Sequence, residues 1–369
     1  MTRPRVVGVA LFALIACALA SAGLAETPPV KPAPPVTPEF PARNPQEITL
    51  LFAGDVHFEW GVARLIQEQG PAAPVKDIAS VFSESDFRVA NVETAITDEG
   101  SPHPGRSHVF GAPAKSVETL KALRLNLAIL ANNHVMDLGA EGLNGTLKNL
   151  KAANILTAGA GPTSREAAAP TLFNIGESRF AIVAASVIGD EAMWSDEKRP
   201  GSARPAQILA TVASLRGKVD HIIVSVHWGV EYNPYADVEQ QTLARQLVSA
   251  GATAVIGHHP HVPQGIDIDR GAVVCYSLGN FLFGSATPYQ RPNLLVQLKF
   301  EPKKPGVRSL KLIPIHGEYR LHGHSVKRLT VQEAQAFWPE LYTQSRRINP
   351  AMQHRFTFQN DGTAVINVN

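Results

Sequence analysis

Short apolar runs alternate with amphipathic stretches along most of the chain after residue 47. The runs are residues 48–53, 87–90, 127–131, 155–158, 180–187, 221–226, 254–256 and 273–276. Helical periodicity separates several of them, at residues 114–123, 143–153, 206–215 and 238–250. Strands that alternate with helices predict an α/β fold with a largely parallel sheet covered by helices.

Two later runs, residues 294–300 and 309–315, have a period of two, which predicts antiparallel strands that close a second sheet. Residues 331–369 contain one helix-like and two weak strand-like stretches. Composition does not shift after about residue 45, and a chain of 369 residues with 44% hydrophobic content buries a sizeable core. We therefore assign residues 47–325 to one domain and residues 326–369 to an extension packed on it.

The first 25 residues predict an export signal. Arg3 and Arg5 precede an apolar run at residues 6–19, and small residues follow, so cleavage is expected after Ala22 or Ala25. A retained membrane anchor is less favoured, because the run is shorter than the ~20 residues that span a bilayer. A second alternative is a lipoprotein whose mature chain begins at lipidated Cys17. We expect an exported protein of the periplasm or cell envelope.

A proline-rich stretch follows this signal. Residues 28–45 contain eight prolines, which favour an extended conformation, so residues 26–46 are predicted to be a linker. Removal of residues 1–25 leaves 32 basic and 32 acidic side chains and a formal net charge of zero. Without a long basic stripe we expect no nucleic-acid partner. Cys275 lies in an apolar run and is expected to be a buried strand residue.

Six of the apolar runs are followed by residues of the kinds that bind metals. They are Asp55 and His57; Asn91 and Glu93; Asn132, Asn133 and His134; His227 and Glu231; His258, His259 and His261; and Asn280. Ligand sites in open α/β sheets collect at the carboxyl ends of strands. Carboxylates, imidazoles and amides from six strand ends are what a site for two divalent ions requires, with Mn, Fe, Zn and Mg all compatible.

Each cluster taken alone also has a simpler explanation. Asp55 is able to cap a turn while His57 faces solvent, and the amides are able to satisfy backbone groups at strand ends. His227 beside Trp228 fits a packed aromatic pair. Residues 258–261 are harder to explain in this way, because buried imidazoles without partners cost free energy and the proline between the last two histidines stiffens them.

Together the motifs resemble the CapA family of bacterial capsule (poly-γ-glutamate) proteins, which are similar to calcineurin-like metallophosphoesterases. The resemblance covers about residues 50–283. It rests on Gly54-Asp55, Asn91-Val92-Glu93, Leu130-Ala131-Asn132-Asn133-His134, His227-Trp228-Gly229, Gly257-His258-His259-Pro260-His261 and Tyr276-Ser277-Leu278-Gly279-Asn280-Phe281. It implies a four-layer α/β/β/α sandwich of the metallophosphoesterase type.

The resemblance also implies roles for individual residues. Glu93 stands in for a bridging aspartate, because the second Gly-Asp motif of the superfamily is absent, and His134 is implied to be catalytic as an acid or electrostatic stabiliser. The implied metal ligands are Asp55, His57, Glu93, Asn133, His227, His259 and His261. The candidates for substrate binding or for supporting the ligands are Asn91, Asn132, Glu231, His258, Asn280 and Arg106.

We therefore expect an exported metal-dependent hydrolase that acts on an anionic envelope polymer or its precursor, with poly-γ-glutamate as the substrate that the family implies. Two divalent ions would activate water for attack on a carbonyl or phosphoryl centre. Because the mature chain has no net charge, the polymer must be held by the metals and by nearby cations such as Arg106. Two alternatives stay open: a non-catalytic capsule assembly component that binds polymer or a membrane protein, and a periplasmic phosphoesterase.

Overall fold

Two β-sheets lie face to face in the computed structural model, which describes residues 37–104, 106, 108–284, 291–316 and 323–368. The predicted export signal lies outside the described residues and stays a prediction. Thr37–Asn369 forms one compact unit. Among the described residues, no helix combines the length and the apolar character needed to cross a bilayer.

The strands and helices follow one another in the order that the alternating pattern predicts. The strands are β1 (Glu39–Phe40), β2 (Ile48–Val56), β3 (Phe87–Val92), β4 (Ala95–Ile96), β5 (Gly111–Ala112), β6 (Leu127–Ile129), β7 (Leu156–Ala158), β8 (Ala160–Gly161), β9 (Thr171–Ile175), β10 (Ser178–Ser186), β11 (Gly201–Ser202), β12 (His221–His227), β13 (Ala254–His258), β14 (Ile266–Asp269), β15 (Ala272–Cys275), β16 (Asn280–Leu282), β17 (Asn293–Phe300), β18 (Ser309–Ile315), β19 (Phe356–Phe358) and β20 (Ala364–Asn367). The α-helices are α1 (Trp60–Gln69), α2 (Ala79–Ser83), α3 (Val117–Ala122), α4 (Gly139–Ala152), α5 (Ser164–Ala167), α6 (Pro205–Leu215), α7 (Val238–Ala250) and α8 (Val331–Ile348).

The parallel strands divide between two sheets. A nine-stranded sheet has the order β19-β20-β18-β17-β2-β3-β6-β7, with β16 beside β2, and a seven-stranded sheet has the order β1-β9-β10-β12-β13-β15-β14. Two sheets are expected from the sequence, but the parallel strands occur in both of them and are not collected in one. Strands β17 and β18 are antiparallel, as expected, but they extend the first sheet and do not close a second one. Strands that are apolar on both faces carry no signal for which sheet they join.

Alternate residues of each strand face opposite sides of the sheet, and each side packs on a different layer of the fold. In β2, Leu50 and Phe52 face the other sheet, and Leu51 and Ala53 face helices α1 to α4. The seven-stranded sheet behaves in the same way, because one face of its strands packs between the sheets and the other packs on α6 and α7. The result is a four-layer α/β/β/α sandwich, which confirms the architecture that the family resemblance implied.

Part of the stretch predicted to be a linker is packed against this sandwich. Strand β1 pairs with β9 at the edge of the seven-stranded sheet. The ring of Phe40 lies 4.9 Å from that of Phe87 and 6.2 Å from that of Phe173. Cys275 is fully buried at the end of β15, and burial raises the pKa of its thiol to about 12.

Candidate metal centre

Two carboxylates are fully buried at the carboxyl ends of β2 and β3. Asp55 lies in β2 and Glu93 directly follows β3, and both are 0% exposed. The amide of Asn91 donates to Oδ1 of Asp55 at 2.8 Å. The amide of Asn132, beyond β6, donates to the carbonyl of Val92 at 2.9 Å. These amides join the ends of β2, β3 and β6 in one hydrogen-bonded row.

Two glycines of the sequence motifs set the spacing of the strand ends. A β-carbon on Gly54 would lie 1.8 Å from the carbonyl oxygen of Gly279, and one on Gly257 would lie 2.0 Å from the carbonyl oxygen of Tyr276. Any larger residue would force the backbones apart, so glycine is required for this close approach.

Four buried histidines come from the seven-stranded sheet. They are His227 and His258, at the ends of β12 and β13, and His259 and His261 in the following loop. The backbone is left-handed at His259, with a φ of 95°, and at His261, with a φ of 58°. Such conformations cost about 1–3 kcal/mol each in residues other than glycine, and they concentrate at functional sites.

The imidazoles of one sheet face the carboxylates of the other. Nε2 of His227 lies 3.4 Å from Oε1 of Glu93 and 3.1 Å from Nδ1 of His259. Nδ1 of His261 lies 3.2 Å from Oδ2 of Asp55, and the backbone N–H of His259 donates to the same oxygen at 3.3 Å. Nitrogen and oxygen donors from both sheets therefore converge in one buried cluster.

Three overlapping groups in this cluster have the spacing of cation ligands, with their donor atoms within 4.8 Å of one another. They are Glu93, His227 and His259; Asp55, Glu93 and His261; and Glu231, His259 and His261. Both carboxylate oxygens of Glu93 are buried without a hydrogen-bond partner. Because a buried carboxylate needs a compensating charge, these residues fit divalent cations, and Glu93 is shared by two of the groups.

The protonation of the two carboxylates differs because of their surroundings. Burial opposes the charge on Asp55, yet His258 and His261 outweigh it and hold the pKa of Asp55 well below its ordinary value. Burial, together with the charge on Asp55, raises the pKa of Glu93 to about 8. Burial lowers the pKa of His259 to about 2, so its imidazole is neutral and free to ligate. Without a cation, Glu93 therefore holds a proton at neutral pH, and a bound cation would have to displace it.

His134 borders the cluster and has a carboxylate behind it. Its Nδ1 lies 2.6 Å from Oδ2 of Asp137, and its Nε2 lies 4.0 Å from Oε1 of Glu93. Asp137 is fully buried and also accepts the backbone N–H of Phe110 at 2.8 Å. The ring of Phe110 stacks on His134 with a centroid distance of 4.1 Å. Asp137 therefore favours the proton on Nδ1 and leaves Nε2 facing the carboxylates.

His57 lies beside the cluster but belongs to none of the three cation groups. Its Nδ1 accepts the backbone N–H of Glu59 at 3.0 Å, which places the proton of a neutral ring on Nε2. Its ring packs 4.7 Å from Phe110 and 3.8 Å from Phe283. A ligand role for His57 would require loss of the bond from Glu59, and that role stays a prediction.

The other predicted site residues lie around this cluster. Oδ1 of Asn133 lies 2.8 Å from Nε2 of His227, and Oδ1 of Asn280 lies 2.9 Å from Nδ1 of His261. Glu231 is exposed, and a carboxylate oxygen of it lies within 4.8 Å of ring nitrogens of His259 and His261.

Arg106 borders His134 through Asp137. Its Nε lies 3.9 Å from Oδ1 of Asp137, and its Nη2 lies 3.5 Å from Oδ1 of Asp190. Arg106 therefore lies outside the cation groups and next to the carboxylate that holds His134.

Sequence reasoning missed Asp137, Phe110, Phe283 and Glu59. The sequence contained a signal for Asp137, because the side chain of an acidic residue three positions after a histidine is able to fold back and contact its imidazole. The others had none, since their contacts join segments distant in the chain. Glu59, for example, accepts the backbone N–H of Gly111 at 2.9 Å.

Comparison of the chain with known proteins identifies its family. Residues 49–285 match the bacterial capsule synthesis protein family PGA_cap. The PGA biosynthesis protein CapA of Bacillus subtilis (strain 168) is 28% identical over 298 residues, which cover 80% of this chain and 75% of that protein. The capsule biosynthesis protein CapA of Bacillus anthracis is 26% identical over 85% of this chain and 76% of its own.

A third relative is the probable polyglutamine synthesis accessory protein of Mycobacterium tuberculosis (strain CDC 1551 / Oshkosh). It is 27% identical over 326 residues, which cover 74% of this chain and 86% of that protein. The family match spans more than half of the chain and contains every residue of the buried cluster. The chain therefore belongs to the bacterial capsule synthesis protein family.

Proposed function

We propose that this protein is a metal-dependent hydrolase that acts on a capsular polymer or its precursor. The observation that carries the proposal is Glu93, whose buried carboxylate has no hydrogen-bond partner and is shared by two groups with cation-ligand spacing. Such a carboxylate is costly to bury unless a cation accompanies it. Divalent cations in this position supply Lewis acidity and lower the pKa of water.

Different residues of the chain would hold the cations and keep the site rigid. The cations would be held by Asp55, Glu93, His227, His259 and His261. The hydrogen-bonded amides keep the strand ends in register, so these donors are positioned before any ligand arrives. Pre-positioned donors need no reorganisation during the reaction, which is the main advantage of a rigid site.

His134 would hold or deliver a proton at Nε2. Its side chain is 14% exposed, so a substrate is able to reach it. The 2.6 Å contact with Asp137 fixes the orientation of the ring and favours the proton on Nδ1. Asp137 acts through His134 and is therefore a positioning residue.

The substrate that we propose is a polyglutamate chain or its precursor. The support is the family, together with relatives whose names refer to PGA biosynthesis and capsule biosynthesis. Arg106, next to Asp137, would contact a carboxylate of the polymer. Because the mature chain has no net charge, this contact has to be local.

The test is metal content followed by turnover. Purified mature protein, loaded with Mn or Zn, is analysed by emission spectroscopy, and less than one equivalent of bound metal would refute the proposal. Loaded protein is then assayed on γ-linked glutamate oligomers and on generic phosphate esters. We expect His134→Ala to remove most turnover without loss of metal, and Asp137→Asn to lower kcat by about 10–100-fold. Equal turnover by wild type and His134→Ala would exclude His134 from the mechanism.

A second candidate is a binding component that has no turnover. The name of the Mycobacterium tuberculosis relative, an accessory protein, favours it. Metal-loaded protein that binds glutamate oligomers and cleaves neither substrate class would support this candidate over the hydrolase. Turnover of phosphate esters alone would favour a phosphoesterase instead.

We also propose that the protein acts in the periplasm or cell envelope, on the basis of Arg3, Arg5 and the apolar run that follows them. Mass spectrometry of the protein from fractionated cells distinguishes the alternatives. A mature chain starting after Ala22 or Ala25 supports a cleaved signal, and one starting at a lipidated Cys17 supports a lipid anchor. Intact Met1 in the cytoplasmic fraction would contradict export.

A further inference from the structure

A separate cavity lies on the C-terminal part of the chain, outside the residues 49–285 that match the family. Its volume is about 630 Å³, within the usual range for ligand pockets. One wall is a stripe of helix α8, and the other is β19 with the turn that leads to β20. We call it the C-terminal groove; the residues that the argument uses are Gln335, Trp338, Pro339, Tyr342, Phe356 and Phe358.

The aromatic residues of the C-terminal groove form a continuous surface. The ring of Phe358 lies 5.7 Å from that of Trp338 and 6.1 Å from that of Phe356. Phe356 in turn lies 5.7 Å from Tyr342. Phe358 is 50% exposed although it is a large apolar side chain. A contiguous apolar patch of this kind, set in a concave surface, is characteristic of a binding site.

The polar part of the C-terminal groove consists of amides. Gln335, Gln353, Gln359 and Asn360 line it, and none of the described residues in its lining carries a charged side chain. Pro339 lies inside α8 and has no N–H to donate to the carbonyl of Gln335 one turn earlier. The groove therefore combines aromatic faces with neutral hydrogen-bond donors and acceptors.

The walls of the groove are fixed to each other and to the sandwich. Gly362, in the turn, has a φ of 83°, and a β-carbon there would lie 3.3 Å from Cβ of Ala334 in α8. At its other end α8 is tied to β14, because Oγ of Ser345 accepts the backbone N–H of Ile266 at 2.9 Å. A preformed groove loses little conformational entropy when it binds a ligand.

We propose that the C-terminal groove binds an uncharged saccharide chain. Pyranose rings offer C–H faces that stack on aromatic rings, and their hydroxyl groups pair with amide donors and acceptors. A lipid tail would offer no hydrogen bond to the amides that line the groove. A polyanion such as polyglutamate would find no cation in the lining. The groove is thus chemically distinct from the metal centre, and its role does not depend on the proposed hydrolase activity.

The test uses Trp338 as an internal reporter. The full mature chain is titrated with chitohexaose and with laminarihexaose, and binding is followed by tryptophan fluorescence and by calorimetry. We expect saturable binding of at least one of them. Phe358→Ala should weaken it about tenfold, the loss that one aromatic stacking partner accounts for. Gln335→Ala should weaken it by a smaller factor.

Controls separate a lost contact from a lost fold. Leu172→Ala changes an apolar residue of β9 that is 39% exposed, against 50% for Phe358, and it should leave binding unchanged. Trp338→Phe keeps an aromatic ring and should remove the fluorescence change that reports binding. Thermal melts of all variants should match that of the wild type within a few degrees.

Three results would overturn the proposal. One is no binding of either sugar up to about 10 mM, which corresponds to less than about 3 kcal/mol of affinity. Another is equal affinity of the wild type, Phe358→Ala and Gln335→Ala. The third is displacement of the sugar by a neutral extended hexapeptide or by poly-γ-glutamate at lower concentration, which would assign the groove to a peptide or a polyanion. Removal of metal should change none of these measurements.

Discussion

The two halves of the candidate metal centre use different chemistry on different sheets. The nine-stranded sheet supplies carboxylates and amides, with Asp55 and Glu93 at its centre, and the seven-stranded sheet supplies imidazoles. The carboxylate half is held in register by side-chain amides. In the imidazole half the backbone is strained at His259 and His261, because both residues have positive φ angles.

This difference shows where the cost of the site lies. Strain in the imidazole loop is a conformational cost of about 1–3 kcal/mol per residue and is present in every state of the folded protein. The cost of the carboxylate half is electrostatic, because Glu93 is buried beside Asp55, and either a proton or a cation relieves it. Experiments that change one half at a time therefore separate the two costs.

The largest effect is expected from Glu93→Gln. Removing one partner of a buried charged pair costs about 3–5 kcal/mol, which corresponds to about a hundredfold to a thousandfold or more in affinity. Because Glu93 is shared by two cation groups and His227 belongs to one, Glu93→Gln should lose nearly all bound metal, whereas His227→Gln should retain about one equivalent. Emission spectroscopy on metal-loaded protein measures both.

The matched control is Glu99→Gln, since Glu99 is a half-exposed carboxylate paired with Lys148. It should retain full metal content. Equal metal loss in Glu93→Gln and His227→Gln would show that the two halves contribute alike and that Glu93 is not shared.

A smaller effect is expected from metal removal. A ligand at a hundred times its Kd stabilises a folded protein by about 2.7 kcal/mol, so chelation should lower the stability of the wild type by about that amount and its Tm by several degrees. Glu93→Gln should show almost no response to the chelator. Urea unfolding with and without EDTA measures the difference, and an equal response of both proteins would contradict a cation at Glu93.

The smallest effect concerns the other end of the strand that carries His227. His221 begins β12, is fully buried against Phe180 and Phe300, and has no hydrogen-bond partner for either ring nitrogen. Burial lowers its pKa to about 4. The unfolded chain then binds more protons than the folded protein between about pH 6.5 and 4, so stability is lost as pH falls through this window.

His221→Phe should remove this loss. We expect the difference in unfolding free energy between pH 7 and pH 5 to shrink by about 2 kcal/mol relative to the wild type. Urea unfolding at both pH values measures it, and His354→Phe, at an exposed position, serves as the control. An unchanged pH slope would mean that His221 is hydrated or partnered in solution.

Much of this centre was predictable from the chain alone. In parallel strands, polar residues directly after an apolar run lie at the carboxyl edge, which is why Asp55, Glu93, Asn132 and His227 were identified as candidates. The period of the hydrophobic pattern also predicted the first and last residues of α7 and β18. These are local properties: hydrophobic spacing and chain direction follow from a few neighbouring residues.

Only the tertiary structure decided which strands share a sheet and which side chains touch. Strands β2 and β12 are apolar on both faces, so their sequences are compatible with one sheet or two. The contact of Asp137 with His134 and the exclusion of His57 from the cation groups depend on backbone turns and on distant aromatic rings. Such contacts are set by packing between segments far apart in the chain, and no local pattern encodes them.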